Sequence, residues 1–100
     1  MLKIDIEGFE PRAFAGMAET LRRFRPHILL EFFPDALRRT GGVEPVEFLT
    51  MVQGFGYQLK PFIPGGGEPT EVHRIESVAT LPAQHRINHI DVLAEPVDRS

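Results

Sequence analysis

The chain has 100 residues, a length that allows one domain with a modest hydrophobic core. An apolar fraction of 42%, a charged fraction of 25% and a net charge of −3 are ordinary for a soluble globular protein, and they favour neither nucleic acid nor a membrane as partner. The lack of cysteine excludes disulfides and thiolate metal sites, and no apolar run approaches the ~20 residues that cross a bilayer, so we expect a cytoplasmic protein.

The first predicted element is a short β-strand over residues 2–6, where apolar and charged residues alternate. Gly8 ends this strand, and a helical pattern follows almost at once. Asp5 and Glu7 therefore lie at the carboxyl end of a strand, which is where ligands bind in open α/β sheets. The same alternation also fits an edge strand whose polar face is simply solvated.

A helix and a second strand come next. The helix begins at Pro11, carries an apolar stripe and ends at Arg25-Pro26. The run over residues 27–33 is apolar and bounded by prolines, which is typical of a strand buried on both faces of a parallel sheet. Strand, helix and strand within about thirty residues predict a right-handed βαβ unit. Glu31 is unusual in such a strand, because a buried carboxylate needs a partner or a ligand; otherwise it marks the exposed end of the strand.

The second half of the chain is predicted to hold another helix, two more strands and a long loop. Arg38 and Arg39, in the connection over residues 34–42, could contact an anionic acceptor or belong to a solvated helix end. An amphipathic helix is predicted from Val43 to Val52 or Phe55, and strands over residues 55–60 and 88–94. Residues 61–84 are mostly loop, and residues 71–80 within them fit a short strand or a helical turn equally well.

Histidine is the remaining chemically versatile residue type in this half. The spacings of these histidines match no standard zinc pattern, so no metal site is predicted. His89 stands beside Asn88 at the start of the last strand. It could reach a substrate crevice as a base, or it could be an ordinary strand-end histidine. Tyr57 is interpreted as a packing residue.

The order of elements, β-α-β-α-β-loop-β, is that of half a doubly wound sheet. Within it the segment Leu2–Glu10 resembles the K-I-D-V-E-G-x-E signature of the FkbM family of S-adenosylmethionine-dependent methyltransferases. The segments that follow occur in the same order as in that family, so the resemblance extends over essentially the whole chain. These are the turn at Ala15-Gly16-Met17, the Arg25-Pro26 strand ending in Glu31, the Gly56-Tyr57 strand and the last strand from Asn88 to Leu93.

The resemblance implies an α/β fold, namely the C-terminal half of a class I methyltransferase Rossmann-like sheet, mostly parallel with a final antiparallel strand. Residues 1–100 would form a partial domain that lacks the first strands and the glycine-rich loop holding most of the cofactor, S-adenosylmethionine. Members of the family methylate hydroxyl groups of sugars, polyketides and similar metabolites. A small hydroxyl-bearing acceptor is thus the expected ligand, and a complementary N-terminal half or a second copy is the expected protein partner.

The resemblance also implies roles for individual residues. Asp5 would bind the acceptor or act as general base, with Glu7 as its helper. Their carboxylates could also hold the cationic sulfonium or a divalent cation, and Gly8 would allow the sharp turn beside the cofactor. The further acceptor-binding residues would be Glu31, Arg38 and His89.

A non-catalytic α/β module is the alternative interpretation. The first strand is short and apolar, and as an unpaired edge it would invite pairing with a strand of another chain. A nucleotide-binding domain of another doubly wound family is disfavoured, because no segment matches a phosphate-binding loop.

Overall fold

The fold is built on one four-stranded sheet, as far as the structure, a computed structural model, describes the chain (residues 2–5, 16–69 and 71–97). The strands are β1 (Leu2–Asp5), β2 (Ile28–Phe32), β3 (Tyr57–Pro61) and β4 (Ile90–Pro96). They lie in the order β1-β2-β4-β3. The predicted second, third and last strands are confirmed to within a few residues.

The last strand is antiparallel, as expected, but the sheet as a whole is not mostly parallel. β1 and β2 pair in parallel, whereas β4 pairs antiparallel with both β2 and β3. Two of the three pairings are therefore antiparallel, and the predicted mostly parallel, Rossmann-like sheet is wrong. The physical reason is the position of β4: because it lies between β2 and β3, those two strands have no contact through which to pair in parallel.

Helices fill the connections between the strands. Helix α1 (Ala18–Phe24) precedes β2, and a short helix α2 (Pro34–Ala36) after β2 continues into a π-helical segment (Leu37–Gly41). Helix α3 (Pro45–Gly54) precedes β3 and confirms the predicted second helix, while α4 (Ile75–Gln84) lies between β3 and β4. The predicted start of the first helix, at Pro11, lies outside the described residues.

The hydrophobic core lies against one face of the sheet. In β2, β3 and β4 every second residue is buried, and the residues between them are only partly buried. The expectation that β2 is buried on both faces is therefore wrong, since Leu29 and Glu31 lie on a second, partly exposed face. We call this second face the outer face; it carries Leu29, Glu31, Gln58, Lys60, Asp91, Leu93 and Glu95. The core cluster consists of Leu21, Ile28, Leu30, Phe32, Leu37, Phe48, Leu49, Val52, Tyr57, Leu59, Val78, Leu81, Ile90, Val92 and Ala94.

Arg25 connects the end of α1 to two strands. Its backbone is left-handed, with φ at 49°, where it caps the helix by donating its N–H to the carbonyl of Leu21. Its guanidinium donates to three backbone carbonyl oxygens, those of Phe55 at 2.8 Å, Gly56 at 3.0 Å and Val97 at 2.7 Å. The planar, multi-donor shape of arginine suits this task, which the point charge of lysine could not perform.

Tyr57, in β3, contacts both Arg25 and the residue that follows it, Pro26. Its hydroxyl donates to the carbonyl oxygen of Pro26 at 2.7 Å, and the Arg25 guanidinium lies 5.5 Å from the centre of its ring. Burial raises the pKa of the Tyr57 hydroxyl, an effect that Arg25 partly opposes. The interpretation of Tyr57 as a packing residue is confirmed by its 3% exposure within the core. We give the name Arg25–Tyr57 clamp to the hydrogen bonds of the Arg25 guanidinium and the Tyr57 hydroxyl together with the contact between these two side chains.

An acidic residue on the outer face makes stability depend on pH. Glu95 pairs with the Lys60 ammonium and, at 3.5 Å, with the imidazole of His27. The hydrogen bond from Lys60 is the main cause that holds the pKa of Glu95 below its usual value, although partial burial opposes it. A depressed pKa in the folded state stabilises the protein above the unfolded-state pKa, and this contribution is lost as the pH falls through the folded-state value.

We therefore expect Glu95→Gln to flatten the acid limb of the stability curve. The free energy of unfolding should decline less for this variant than for the wild type between pH 7 and pH 3, as measured by urea unfolding. The effect should be modest, because the pair is partly exposed and salt screens it. Glu68→Gln, in an exposed loop, is the matched control. Equal slopes for Glu95→Gln and the wild type would contradict the assignment.

Candidate functional site

A row of acidic residues crosses three strands at one level of the sheet. Asp5 of β1 is in register with Glu31 of β2, and Glu31 is in register with Asp91 of β4. Glu31 and Asp91 are partly buried on the outer face. The row lies where the parallel strands β1 and β2 approach their carboxyl ends and where β4 begins, so the backbone places acidic positions from three separate parts of the chain in register.

An aromatic pair extends the sheet one step beyond this row. Phe33 and His89 follow and precede the last register pair of β2 and β4, which is Phe32 with Ile90. Their rings stack with centroids 4.5 Å apart and planes only 15° from parallel. His89 is exposed, and its Nδ1 lies 2.8 Å from the Oδ1 of Asn88. The stack therefore forms a flat, accessible surface beside the acidic row.

Arg38 lies in a different environment from the acidic row. Its guanidinium pairs with Asp35 at 3.0 Å and with Glu44 at 3.1 Å, so two carboxylates already balance its charge. It also lines a cavity of about 190 Å³ between the segment that follows β2 and helix α4, together with Thr80 and Asn88. Asn88 contacts His89 as well, and it is thus the residue that links this cavity to the aromatic pair.

The structure brings some of the predicted site residues together. Asp5, as a backbone position, and Glu31 and His89 lie at the same end of the sheet, while Arg38 lines the adjoining cavity. Glu7 and Gly8 lie outside the described residues. Three further residues of the site were missed as candidates, namely Phe33, Asn88 and Asp91. The available signal was spacing, because Phe33 and Asp91 each lie two positions from a predicted residue and hence on the same face of a strand.

The described residues contain neither a membrane-spanning helix nor a cluster of metal ligands. Over that part of the chain, no helix is long and apolar enough to span a membrane. Nor do the described histidines and acidic residues include a group of three or more arranged to hold a metal ion.

Comparison with known proteins supplies a family. No curated protein and no solved structure matches the chain. The model of the methyltransferase FkbM domain matches residues 1–59, a segment that runs from β1 into β3. Residues 60–100, including α4 and β4, lie outside this match, so the sequence resemblance over the whole chain is supported only for its first part. Because the match covers more than half of the sequence, the chain belongs to the FkbM methyltransferase family.

Proposed function

We propose that the chain takes part in the S-adenosylmethionine-dependent methylation of a hydroxyl group on a sugar, a polyketide or a similar metabolite. The observation that carries this proposal is the in-register row Asp5–Glu31–Asp91 at the carboxyl ends of β1 and β2. The family relationship supports methyl transfer as the reaction. The chain would supply the acceptor side of the site, and a complementary half would supply most of the cofactor-binding elements.

The carboxylates suit the needs of this reaction. Methyl transfer requires an oxygen held in line with the methyl group, so positioning contributes a large share of the rate. An alcohol must also lose its proton as it attacks, and a carboxylate within hydrogen-bond distance can accept that proton. Asp5 is proposed to bind the acceptor or to act as this base, with Glu7 as its helper. The residues proposed to orient the acceptor are Glu31, Arg38 and His89.

The row also suits the charged part of the cofactor. Carboxylates attract a sulfonium cation, and Asp5 and Gly8 are the residues of this chain proposed to lie against it. When bound, S-adenosylmethionine supplies the activated methyl group. The residues of this chain hold the acceptor, accept its proton and provide negative charge near the cation.

The proposal is tested in a chimaera that joins the N-terminal part of a complete, active family member to this chain at the shared Lys3-Ile4-Asp5 segment. We expect Asp5→Asn to lower kcat by about 10²-fold or more, because the variant loses a proton acceptor, while affinity for S-adenosylhomocysteine stays nearly unchanged. Glu31→Gln should lower kcat by about tenfold through lost positioning. Radiolabelled methyl transfer and calorimetry measure the two quantities.

Two controls accompany this experiment. Glu47→Gln, at an exposed position of α3, should leave turnover at the parent level. The unfused chain should melt at the same temperature with and without S-adenosylhomocysteine, because most of the cofactor site is proposed to lie elsewhere. Parent-level turnover by Asp5→Asn in a cooperatively folded chimaera would overturn the role of Asp5, and a raised melting temperature would overturn the partial-domain proposal.

A second candidate function rests on the place of β1 in the sheet. Within the described residues β1 is an outermost strand, paired with β2 alone. An edge strand can accept a further strand from another chain, which favours a partner-binding module without catalysis. A cooperatively folded chimaera that fails to transfer methyl groups to sugars and polyketides, together with a self-associating unfused chain, would favour this candidate.

A further inference from the structure

Helix α1 ends in a patch of positive charge and aromatic rings at the surface of the protein. We propose that this patch, formed by Arg22, Arg23, Phe24, Arg25 and Phe55, is a docking surface for an acidic peptide segment with apolar side chains. We call it the arginine-phenylalanine patch. It lies at the end of the sheet opposite the acidic row, since α1 leads into the start of β2 and Phe55 directly precedes β3. The inference goes beyond the proposed function and does not rest on it.

The charge of the patch is not neutralised within the described part of the chain. The last turn of α1 carries Arg22 and Arg23, and Arg25 follows it directly. Among the residues that the structure describes, no carboxylate forms an ion pair with these arginines, not even Glu19 one turn away on the same helix. Arg25 donates to backbone carbonyl oxygens, which carry no net charge, so it stays positive. The carboxyl end of a helix offsets only about half an elementary charge, and positive charge therefore remains for a partner to balance.

Two guanidinium groups of the patch are held on aromatic rings. Arg22 lies 5.6 Å from the centre of the Phe55 ring, and Arg23 lies 5.6 Å from the centre of the Phe24 ring. A stacked guanidinium uses its flat face for the ring and keeps the N–H groups at its edge for hydrogen bonds. A carboxylate accepts two parallel N–H groups of this kind, so each stacked arginine is prepared to bind one acidic side chain.

Exposed apolar side chains accompany the charge. Phe24 is 69% exposed, the highest value among the large apolar residues of the described chain, and Val97 is 40% exposed. Val97 lies beside the arginines, because its carbonyl oxygen accepts a hydrogen bond from Arg25. A partner that covers these side chains removes apolar surface from water, which favours a segment with apolar residues among its acidic ones.

A short acidic peptide fits the patch better than a larger polyanion does. A protein that binds duplex DNA neutralises many phosphates, about six to ten in typical cases, and basic clusters that bind anionic lipids hold about four to eight residues. The patch has only the arginines at positions 22, 23 and 25, and the chain as a whole carries a net charge of −3, which repels a long polyanion. A peptide needs only a few carboxylates within reach, and it supplies apolar side chains for Phe24.

The proposal is tested on the full chain by fluorescence anisotropy with a dye-labelled octapeptide of alternating glutamate and leucine. We expect saturable binding, which Arg22→Ala combined with Arg23→Ala weakens by about tenfold through the loss of two charge pairs at the surface. Phe24→Ala should weaken binding by about threefold through lost apolar contact. Arg74→Ala combined with Arg86→Ala is the matched control, because it removes the same charge from exposed positions elsewhere, and its affinity should stay within about twofold of the wild type.

Three results would overturn the docking surface. These are no saturable binding by the wild type, equal binding of a peptide with lysine in place of glutamate, and unchanged affinity in the variant that lacks both Arg22 and Arg23. Tighter binding of phosphatidylserine vesicles or of single-stranded oligothymidine than of the acidic peptide would assign the patch to a lipid surface or a nucleic acid and would also overturn it. Circular dichroism checks that each variant unfolds cooperatively, as expected because the replaced side chains are exposed. Methyl transfer enters none of these measurements, so this proposal and the proposed function fail separately.

Discussion

Val92→Lys should leave the chain without a cooperative unfolding transition. Val92 is fully buried in β4, in register with Leu30 of β2 on one side and Pro61 of β3 on the other. An unpaired ammonium at this position would cost several kcal/mol, which is comparable with the whole stability of a domain of this size. Thermal unfolding followed by circular dichroism measures the outcome.

The matched control places the same residue on the surface. Val72→Lys changes a side chain that is 54% exposed, so its free energy of unfolding should stay within about 0.5 kcal/mol of the wild type. A cooperative Val92→Lys variant with a melting temperature close to that of Val72→Lys would contradict the central position of β4.

β4 lies outside the family match. The matched segment, residues 1–59, contains β1 and β2 and extends into β3, and β2 has no register partner in β3. β4 pairs with both and so joins them into one sheet. The part of the chain outside the family match therefore carries the strand that joins β2 to β3.

Local patterns predicted single elements well, but they carried no information on strand direction. The apolar run ahead of Pro34 and the amphipathic pattern after Pro45 correspond to β2 and α3. An alternating strand pattern reads the same in both directions, so the antiparallel direction of β4 was expected from the family resemblance and not from its residue pattern. Helix α4 was not resolved by the sequence pattern, because residues 71–80 fit a short strand and a helical turn equally well.

The same limit explains which site residues were found. Glu31 and His89 stood out because each breaks or borders an apolar strand. Asp91 did not, because a polar residue in an alternating strand is ordinary until its neighbours are known. Only the antiparallel register of β2 and β4 brings Asp91 beside Glu31 and Phe33 beside His89.

The structure explains why the Arg25-Pro26 and Gly56-Tyr57 pairs occur together in this sequence. In the sequence they are separate marks of family resemblance, some thirty residues apart. In the fold they contact each other, since Arg25 donates to Gly56 and Tyr57 donates to Pro26. Their joint presence is explained by the Arg25–Tyr57 clamp, which holds the end of α1 against the start of β3.

Arg25→Ala should lower the free energy of unfolding by about 3 kcal/mol. The variant loses three hydrogen bonds from a charged group, and two of the abandoned carbonyl oxygens, those of Phe55 and Gly56, are partly buried. Arginine and alanine both carry a Cβ, so the cost of the left-handed backbone at this position is the same in both proteins. For a domain of this size the melting temperature should fall by more than about 10 °C.

Three comparison variants separate the clamp from a general effect of charge. Arg23→Ala removes an exposed arginine that contacts the ring of Phe24, and its effect should stay within about 0.5 kcal/mol. Tyr57→Phe should cost about 1 kcal/mol for its single hydrogen bond. Combined with Arg25→Ala, it should cost less than the sum of the two single changes by at least about 0.5 kcal/mol, because each residue supports the other's contacts. Strict additivity, or an Arg25→Ala variant no less stable than Arg23→Ala, would mean that the two dipeptides fold independently and that the clamp does not hold α1 against β3.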